Sequence, residues 1–80
     1  MTARMNLIDF PLRGQYITLD ALLKATGLAS SGGIAKRLVA DGLVQVDGRE
    51  ELRKTCKIRA GQVVGLHGTR VRVRVLAPAG

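Results

Sequence analysis

Two adjacent cations, Lys36 and Arg37, follow closely behind the run Ser30-Ser31-Gly32-Gly33. A helix beginning at this run would present free backbone N–H groups to an anion, and its dipole would favour negative charge there. The serine hydroxyl could also donate, and the two glycines would let a phosphate approach the backbone. This pattern favours a phosphate-binding site, although an ordinary amphipathic helix with a serine cap would contain the same residues.

Two further groups of cations lie towards the carboxyl end. Arg53, Lys54, Lys57 and Arg59 fall within one short segment, where Glu50 and Glu51 could neutralise part of their charge. Arg70, Arg72 and Arg74 alternate with valines, which would place them about 7 Å apart on one face of a strand. The second group favours an anionic ligand. The third has two interpretations, because charges on an edge strand also prevent sheets from aggregating.

The charge of the whole chain points the same way. The 80 residues include 13 Lys and Arg against six Asp and Glu, for a net charge of +7 and a pI near 10.9. Residues 31–80 hold ten of those cations and four of the acids, a net of +6. A chain of this length forms one small domain. The excess charge predicts an anionic partner, either nucleic acid or an acidic membrane surface, although a generally basic surface remains an alternative.

Enzymatic chemistry has little support in the sequence. Cys56 and His67 are the only cysteine and the only histidine, and no motif connects them. We therefore predict no enzyme, no metal and no cofactor. A single cysteine allows no internal disulfide, which fits a reducing cytoplasm. We also find no signal-peptide pattern and no apolar run of transmembrane length, so we expect a cytoplasmic protein.

The aromatic residues limit the kind of nucleic acid. Phe10 and Tyr16 are the only two, and both precede the basic half. Proteins that bind unstacked single strands normally offer several aromatic platforms. The sequence therefore predicts recognition of a folded or duplex nucleic acid through its backbone and shape.

Periodicity predicts two helices followed by strands. We expect helix 1 over 18–26, with Thr18 as N-cap and a stop at Gly27, and helix 2 over 32–41, with Ser31 as N-cap and a stop at Gly42. Ile34, Ala35, Leu38 and Val39 should share the buried face of helix 2. Asp47-Gly48 and His67-Gly68 predict tight turns. The fold class is thus α+β, two short helices packed on a small antiparallel β-sheet.

Other segments complete the prediction. Strands are expected at Val44–Val46, over residues 52–58 with Leu52, Cys56 and Ile58 on one face and a bend at Lys54, and on both sides of His67-Gly68. Residues 1–15 form a lead-in that could add an edge strand, and residues 77–80 a flexible tail. The domain itself is expected to span 16–76.

The order of these elements resembles the RNA-binding domain of the ribosomal protein S-four type, the αL motif. The resemblance rests on residues 16–48, with Val44-Gln45-Val46-Asp47-Gly48 as the strand and turn, and on the later Gly61-Gln62-Val63. Within the family, the segment Glu51–Val64 is similar to small stand-alone bacterial proteins of the YbcJ type. Gly32 stands where the family commonly has a basic residue, and Asp47 stands where it commonly has Asn.

The resemblance implies binding of structured RNA, ribosomal or transfer RNA, by a monomer that could associate with the ribosome or its precursors. The RNA-binding residues predicted from it and from the charge pattern are Ser31, Gly32, Lys36, Arg37, Arg49, Arg53, Lys54, Lys57 and Arg59. A DNA-binding helix-turn-helix is the alternative, but helix 2 offers only Lys36 and Arg37 to read bases, and no amide side chain. Docking to an acidic membrane ranks last, because the chain lacks a basic amphipathic helix with large apolar anchors.

Overall fold

The computed structural model describes residues 6–75, which form two helices and seven strands. In chain order the elements are β1 (Asn6–Leu12), β2 (Ile17–Thr18), α1 (Leu19–Ala25), α2 (Gly32–Ala40), β3 (Val44–Val46), β4 (Arg49–Glu50), β5 (Lys57–Ile58), β6 (Val63–Leu66) and β7 (Thr69–Val75). The tail predicted for 77–80 lies outside the described residues. Neither helix is long and apolar enough to cross a membrane.

Helix α1 begins after Thr18, as predicted, but the Thr18 side chain makes no capping hydrogen bond. The first N–H groups of the helix are instead satisfied by a distant loop: Leu19 donates to the carbonyl of Cys56 and Asp20 to that of Lys54, both at 2.9 Å. The helix ends at Ala25, and Gly27 follows with a φ of +80°, which glycine adopts readily. Residues 54–56 therefore supply the cap that sequence reasoning gave to Thr18.

Helix α2 begins at Gly32, as predicted, and ends at Ala40, one residue before the predicted end. The Ser31 hydroxyl oxygen accepts a hydrogen bond from the N–H of Ile34 at 3.2 Å, and Gly42 follows the helix with a φ of +74°. Ala35 and Val39 are fully buried. The prediction for Ile34 was wrong, because its side chain is 45% exposed. It lies in the first turn, about 100° around the helix axis from Ala35, and so points away from the packed face.

The main sheet has the order β1-β7-β6-β3-β4. Neighbours are antiparallel except β1 and β7, which pair in parallel over seven residues from Asn6↔Thr69 to Leu12↔Val75. The lead-in thus contains β1, which lies at one edge of the main sheet. The sheet is mixed, and not purely antiparallel, because the β6–β7 hairpin leaves one edge of β7 free and β1 pairs there. The predicted α+β class, two helices with a small sheet, is confirmed.

The helices cover one face of this sheet. Leu19, Leu22 and Leu23 of α1 pack in one core with the inward residues of α2 and the strands, which include Val44, Val64, Val71 and Val73. The intervening residues Gln45, Arg70, Arg72 and Arg74 are exposed, as the alternating pattern predicts. The other face of the sheet is therefore polar and open to solvent.

The strand predicted over 52–58 was largely wrong. Only Lys57–Ile58 are extended, paired with β2 in a separate two-stranded sheet, and Leu52 is 57% exposed. Residues 51–56 form a loop with a turn at Lys54-Thr55. This loop directs the carbonyls of Lys54 and Cys56 at the start of α1, so they are not available to a strand partner.

Candidate nucleic-acid interface

The start of α2 offers an open donor site. The N–H groups of Gly32 and Gly33 have no acceptor among the described residues. A side chain at Gly32 would meet no atom within 4 Å, so the backbone there is accessible. The Ser31 oxygen accepts from Ile34, but its hydroxyl hydrogen remains free to donate. These groups can donate hydrogen bonds to the oxygens of one phosphate at the positive end of the helix.

The two cations of α2 differ in whether a carboxylate lies close enough to form an ion pair. Lys36 is exposed, lies one helical turn from Gly32 on the same side, and has no carboxylate within 4.0 Å in the part of the chain that the structure describes. Arg37 Nε lies 3.9 Å from Asp41 Oδ2, and its side chain is 85% exposed. An ion pair that is this long and this exposed is weak. Both cations can therefore turn to an external phosphate.

The loop between β4 and β5 holds the next cations. Arg53 Nε donates to Glu51 Oε2 at 3.1 Å, so one of the two predicted glutamates does reduce the charge of this group. Glu50 lies elsewhere: its carboxylate packs over Gly42, where an added Cβ would come within 2.9 Å of Oε2. Lys54 projects from the turn that caps α1 and is exposed. Within residues 6–75, the loop therefore presents one cation in an ion pair, Arg53, and one cation outside any ion pair, Lys54.

The Glu51–Arg53 contact gives a pH-dependent prediction. Hydrogen bonds from the Arg53 side chain, and then from its backbone N–H, lower the pKa of Glu51 below the ordinary value for a glutamate. A carboxyl whose pKa is lower in the folded state contributes stability above its unfolded pKa and loses that contribution as the pH falls through the folded pKa.

We expect Arg53→Gln to raise the pKa of Glu51 towards its ordinary value, as measured by NMR titration of the carboxyl carbon. Arg49→Gln is the matched control, because Arg49 contacts no carboxylate within 4.0 Å among residues 6–75. A Glu51 pKa that is the same in wild type and Arg53→Gln would contradict the contact.

The remaining cations flank a hydrogen-bonded network at the β3–β4 turn. Asp47 Oδ1 accepts from the N–H of Val63 at 2.9 Å, and Asp47 Oδ2 accepts from Gln62 Nε2 at 3.2 Å. Gln62 Oε1 in turn accepts from the N–H of Arg59 at 2.7 Å. Arg49 follows the same turn, in which Asp47 and Gly48 both have positive φ. Asp47 therefore ties the turn before Arg49 to the loop after Arg59.

Removing the Asp47 carboxylate should loosen this connection. We expect Asp47→Ala to lower the free energy of unfolding by about 1–2 kcal/mol, because two hydrogen bonds to a charged acceptor are lost and alanine suits a φ of +53° less well than aspartate does. Urea denaturation would measure this effect. Asp47→Asn keeps one acceptor oxygen and suits positive φ, so its loss should be smaller; an alanine variant as stable as wild type would contradict the role of the network.

The predicted site residues fall into two groups, and the first lies on α2. Ser31, Gly32 and Lys36 lie at its amino end, Arg37 lies further along, and the contact between Gly42 and Glu50 brings β4 and the following loop to its carboxyl end. Helix α2 has nine residues, which corresponds to a length of about 14 Å. Arg49, Arg53, Lys54, Lys57 and Arg59 make up the second part, on β4, the loop that follows it, β5 and the residue after β5. The amino end of α2 and the cations of the second part thus belong to separate elements of the fold.

Two features of this half of the molecule were not predicted from the sequence. Strand β7 lies between β1 and β6, so its arginines cannot serve to protect an edge. Asp9 of β1 binds two of them, with distances of 3.1 Å to Arg72 Nε and 3.8 Å to Arg74 Nη1. In addition, Lys57 Nζ lies 5.0 Å from the centre of the Tyr16 ring, so one of the two aromatics does reach the basic surface.

The described residues offer few side chains for metal binding or nucleophilic catalysis. Among residues 6–75, no three His, Cys, Asp or Glu side chains are placed to hold a metal ion. Cys56 is half-buried against the core, and burial, followed by the neighbouring Glu51, raises the pKa of its thiol. A thiol with a raised pKa is a weak nucleophile at neutral pH.

Comparison with known proteins identifies the class to which this fold and surface belong. The family model of the S4 domain, the S-four type named above, matches residues 10–74. This match covers most of the chain, and the chain therefore belongs to the S4 domain family.

Individual relatives agree with this assignment. The chain is 48% identical over 58 residues to the YbcJ proteins of Escherichia coli and Shigella flexneri, an alignment that covers 72% of this chain and 83% of each relative. The solution structure of Escherichia coli YbcJ, described as having an αL motif involved in RNA binding, superposes with a TM-score of 0.61 at 39% identity and covers 94% of both chains. The 30S ribosomal protein S4e of Thermoplasma acidophilum gives a TM-score of 0.62 at 27% identity, over 72% of this chain and 31% of that protein.

Proposed function

We propose that this protein binds structured RNA, ribosomal or transfer RNA, without catalysing a reaction, as a cytoplasmic monomer that acts in ribosome assembly or translation. Its domain extends over residues 16–76, with β1 as an added edge strand. The RNA would lie across α2 and the loop and strand that follow β4. The YbcJ structure, whose motif is described as involved in RNA binding, supports the choice of RNA.

One observation carries the proposal: backbone N–H groups without an acceptor and the exposed cation Lys36 lie on the same side of α2. The N–H groups of Gly32 and Gly33 are unpartnered among the described residues, and Lys36, one turn away, has no carboxylate within 4.0 Å there. A phosphate at this position would accept from the backbone and the Ser31 hydroxyl, while Lys36 neutralises its charge. This arrangement needs no particular base and suits recognition of a backbone.

The second part of the surface would extend the contact along the RNA. Lys54, Lys57, Arg59 and Arg49 are all exposed and make no ion pair within residues 6–75. Arg53 would contribute less, since Glu51 holds its guanidinium. With the α2 site, these groups could neutralise about four phosphates.

Reading of DNA by the same two helices has less support. A recognition helix specifies bases with Asn, Gln or Arg side chains, and α2 exposes only Lys36 and Arg37 of suitable length. A membrane surface is a poorer partner as well, because the exposed large aliphatic side chains lie in different segments of the chain: Leu7, Ile34, Leu43 and Leu52.

The salt dependence of binding tests the proposed electrostatic contact. If about four phosphates are neutralised, the affinity for transfer RNA should fall roughly a hundredfold between 50 and 200 mM salt. The measurement is a fluorescence-anisotropy titration with labelled transfer RNA at both salt concentrations. An affinity that changes less than about twofold would contradict binding through this basic surface.

A further inference from the structure

A cleft between the end of β1 and the start of β2 takes no part in the contacts proposed above. It is lined by Phe10, Pro11, Leu12, Arg13, Tyr16 and Ile17, and has a volume of about 340 Å³. Its walls are mainly apolar and include both aromatic side chains of the protein. The cleft thus differs in chemistry from the basic surface proposed to bind RNA.

The Tyr16 ring connects this cleft with the basic surface. Tyr16 is 43% exposed, and Lys57 Nζ lies 5.0 Å from the ring centre. The pairing of Thr18 with Lys57 and of Ile17 with Ile58 fixes this neighbourhood, because it places β5 directly beside the segment that carries Tyr16. An exposed ring on a wall of the cleft therefore lies beside a cation of the proposed RNA surface.

We infer that the cleft holds one unpaired nucleobase of the bound RNA, stacked on the Tyr16 ring, with the adjoining phosphates near Lys57 and Arg13. The inference rests on the proposed function and makes the RNA ligand more specific, since that RNA would have an unstacked nucleotide next to its helical part. Bases of any type stack on aromatic rings, so this contact would select for an extruded nucleotide without selecting its identity.

The charge around the cleft distinguishes this occupant from an apolar protein segment. Arg13 and Lys57 are both exposed, and neither has a carboxylate within 4.0 Å among the described residues. An apolar peptide would fill the cleft but leave these two cations without counter-charges. A nucleotide brings a flat base and a phosphate together, which matches an apolar cleft with cations beside it.

The chain allows a direct test because it has one tyrosine and no tryptophan, so intrinsic fluorescence reports on Tyr16 alone. The probes are two RNA hairpins with the same stem, one fully paired and one with a single bulged nucleotide. The bulged hairpin should bind about tenfold more tightly, in line with the effect of stacking one base on an aromatic ring, and should quench the tyrosine fluorescence. The fully paired hairpin should leave the fluorescence nearly unchanged.

Two variants assign the effect to the ring. Tyr16→Ala should abolish the preference for the bulge while the affinity for the paired hairpin stays within about twofold. Tyr16→Phe, which keeps the ring, should retain the preference. Circular dichroism of both variants would check that the fold is intact.

The outcomes separate this inference from the function on which it rests. If wild type binds both hairpins equally and its fluorescence does not change, or if Tyr16→Ala keeps the preference, the inference is wrong and the proposed RNA binding stands. Binding to neither hairpin would overturn both.

Discussion

Replacing Lys36 and Arg37 together with alanine should weaken the binding of structured RNA by about 60-fold at 0.1 M salt. Each phosphate contact contributes about 0.9 to the slope of log affinity against log salt, which corresponds to about eightfold at 0.1 M relative to 1 M salt. The slope itself should therefore fall by about two. Both side chains are exposed, so the stability of the fold should change little.

The matched control for this variant is Lys24→Ala combined with Arg70→Ala. It removes the same two residue types and the same charge from exposed positions on α1 and on the open face of the sheet. If the control loses as much affinity as the α2 variant, binding depends on net charge and not on α2. If the α2 variant binds like wild type while remaining folded, α2 is not the contact surface.

Replacing Ile58 with alanine should lower the free energy of unfolding by about 3 kcal/mol. Ile58 is fully buried and is the one buried residue of β5, opposite Ile17. The lost methyl groups would leave a cavity below the strand that carries Lys57 and precedes Arg59. In a domain of this size such a loss is a large fraction of the total stability, so RNA affinity should fall as well.

Leu52→Ala is the control for Ile58→Ala, because the periodic pattern placed both residues on one buried face. Leu52 is 57% exposed, and its replacement should change the stability by less than about 0.5 kcal/mol. Urea denaturation of both variants would measure the difference, with Ile58→Val as a milder change if Ile58→Ala does not fold. Equal losses at the two positions would contradict the loop structure of residues 51–56.

The sequence pattern predicted α2 and the two tight turns correctly, because residue types close together in the chain largely determine these elements. Helix α2 has a serine cap, two buried aliphatic residues and a glycine stop within twelve residues, and each of these functions as expected. The two tight turns also formed where Asp47-Gly48 and His67-Gly68 predict them. In α2 the hydrogen bonds that specify the structure join residues close together in sequence, whereas Asp47 of the first turn also bonds Gln62 and Val63.

The errors arose where distant contacts decide the structure. The segment 52–56 alternates like a strand, yet its carbonyls cap α1, more than thirty residues earlier. Strand β7 has the composition of a charged edge strand, but the parallel pairing with β1 makes it an inner strand. No periodicity in a single sequence encodes strand order, so neither result could be read from the pattern.

In the candidate site, too, residue types and their spacing could be read from the sequence, whereas contacts between distant residues could not. The individual cations and the Ser31-Gly32-Gly33 helix start were identified from residue type and spacing. The sequence predicted that Glu50 and Glu51 would neutralise part of the charge of the cations after β4, but it did not specify the pairing of Arg53 with Glu51. It also did not predict that Glu50 lies over Gly42, away from those cations. The approach of Lys57 to Tyr16 follows from the β2–β5 pairing, whose partners are about 40 residues apart.

The central claim is that this S4 domain binds RNA through its backbone and shape. The most direct measurement is a titration of the protein with duplex RNA and duplex DNA of equal length at 50 and 200 mM salt. We predict tighter binding to the RNA duplex at both salt concentrations, with a steep loss of affinity for either ligand as salt rises. Equal affinity for the two duplexes would contradict the claim.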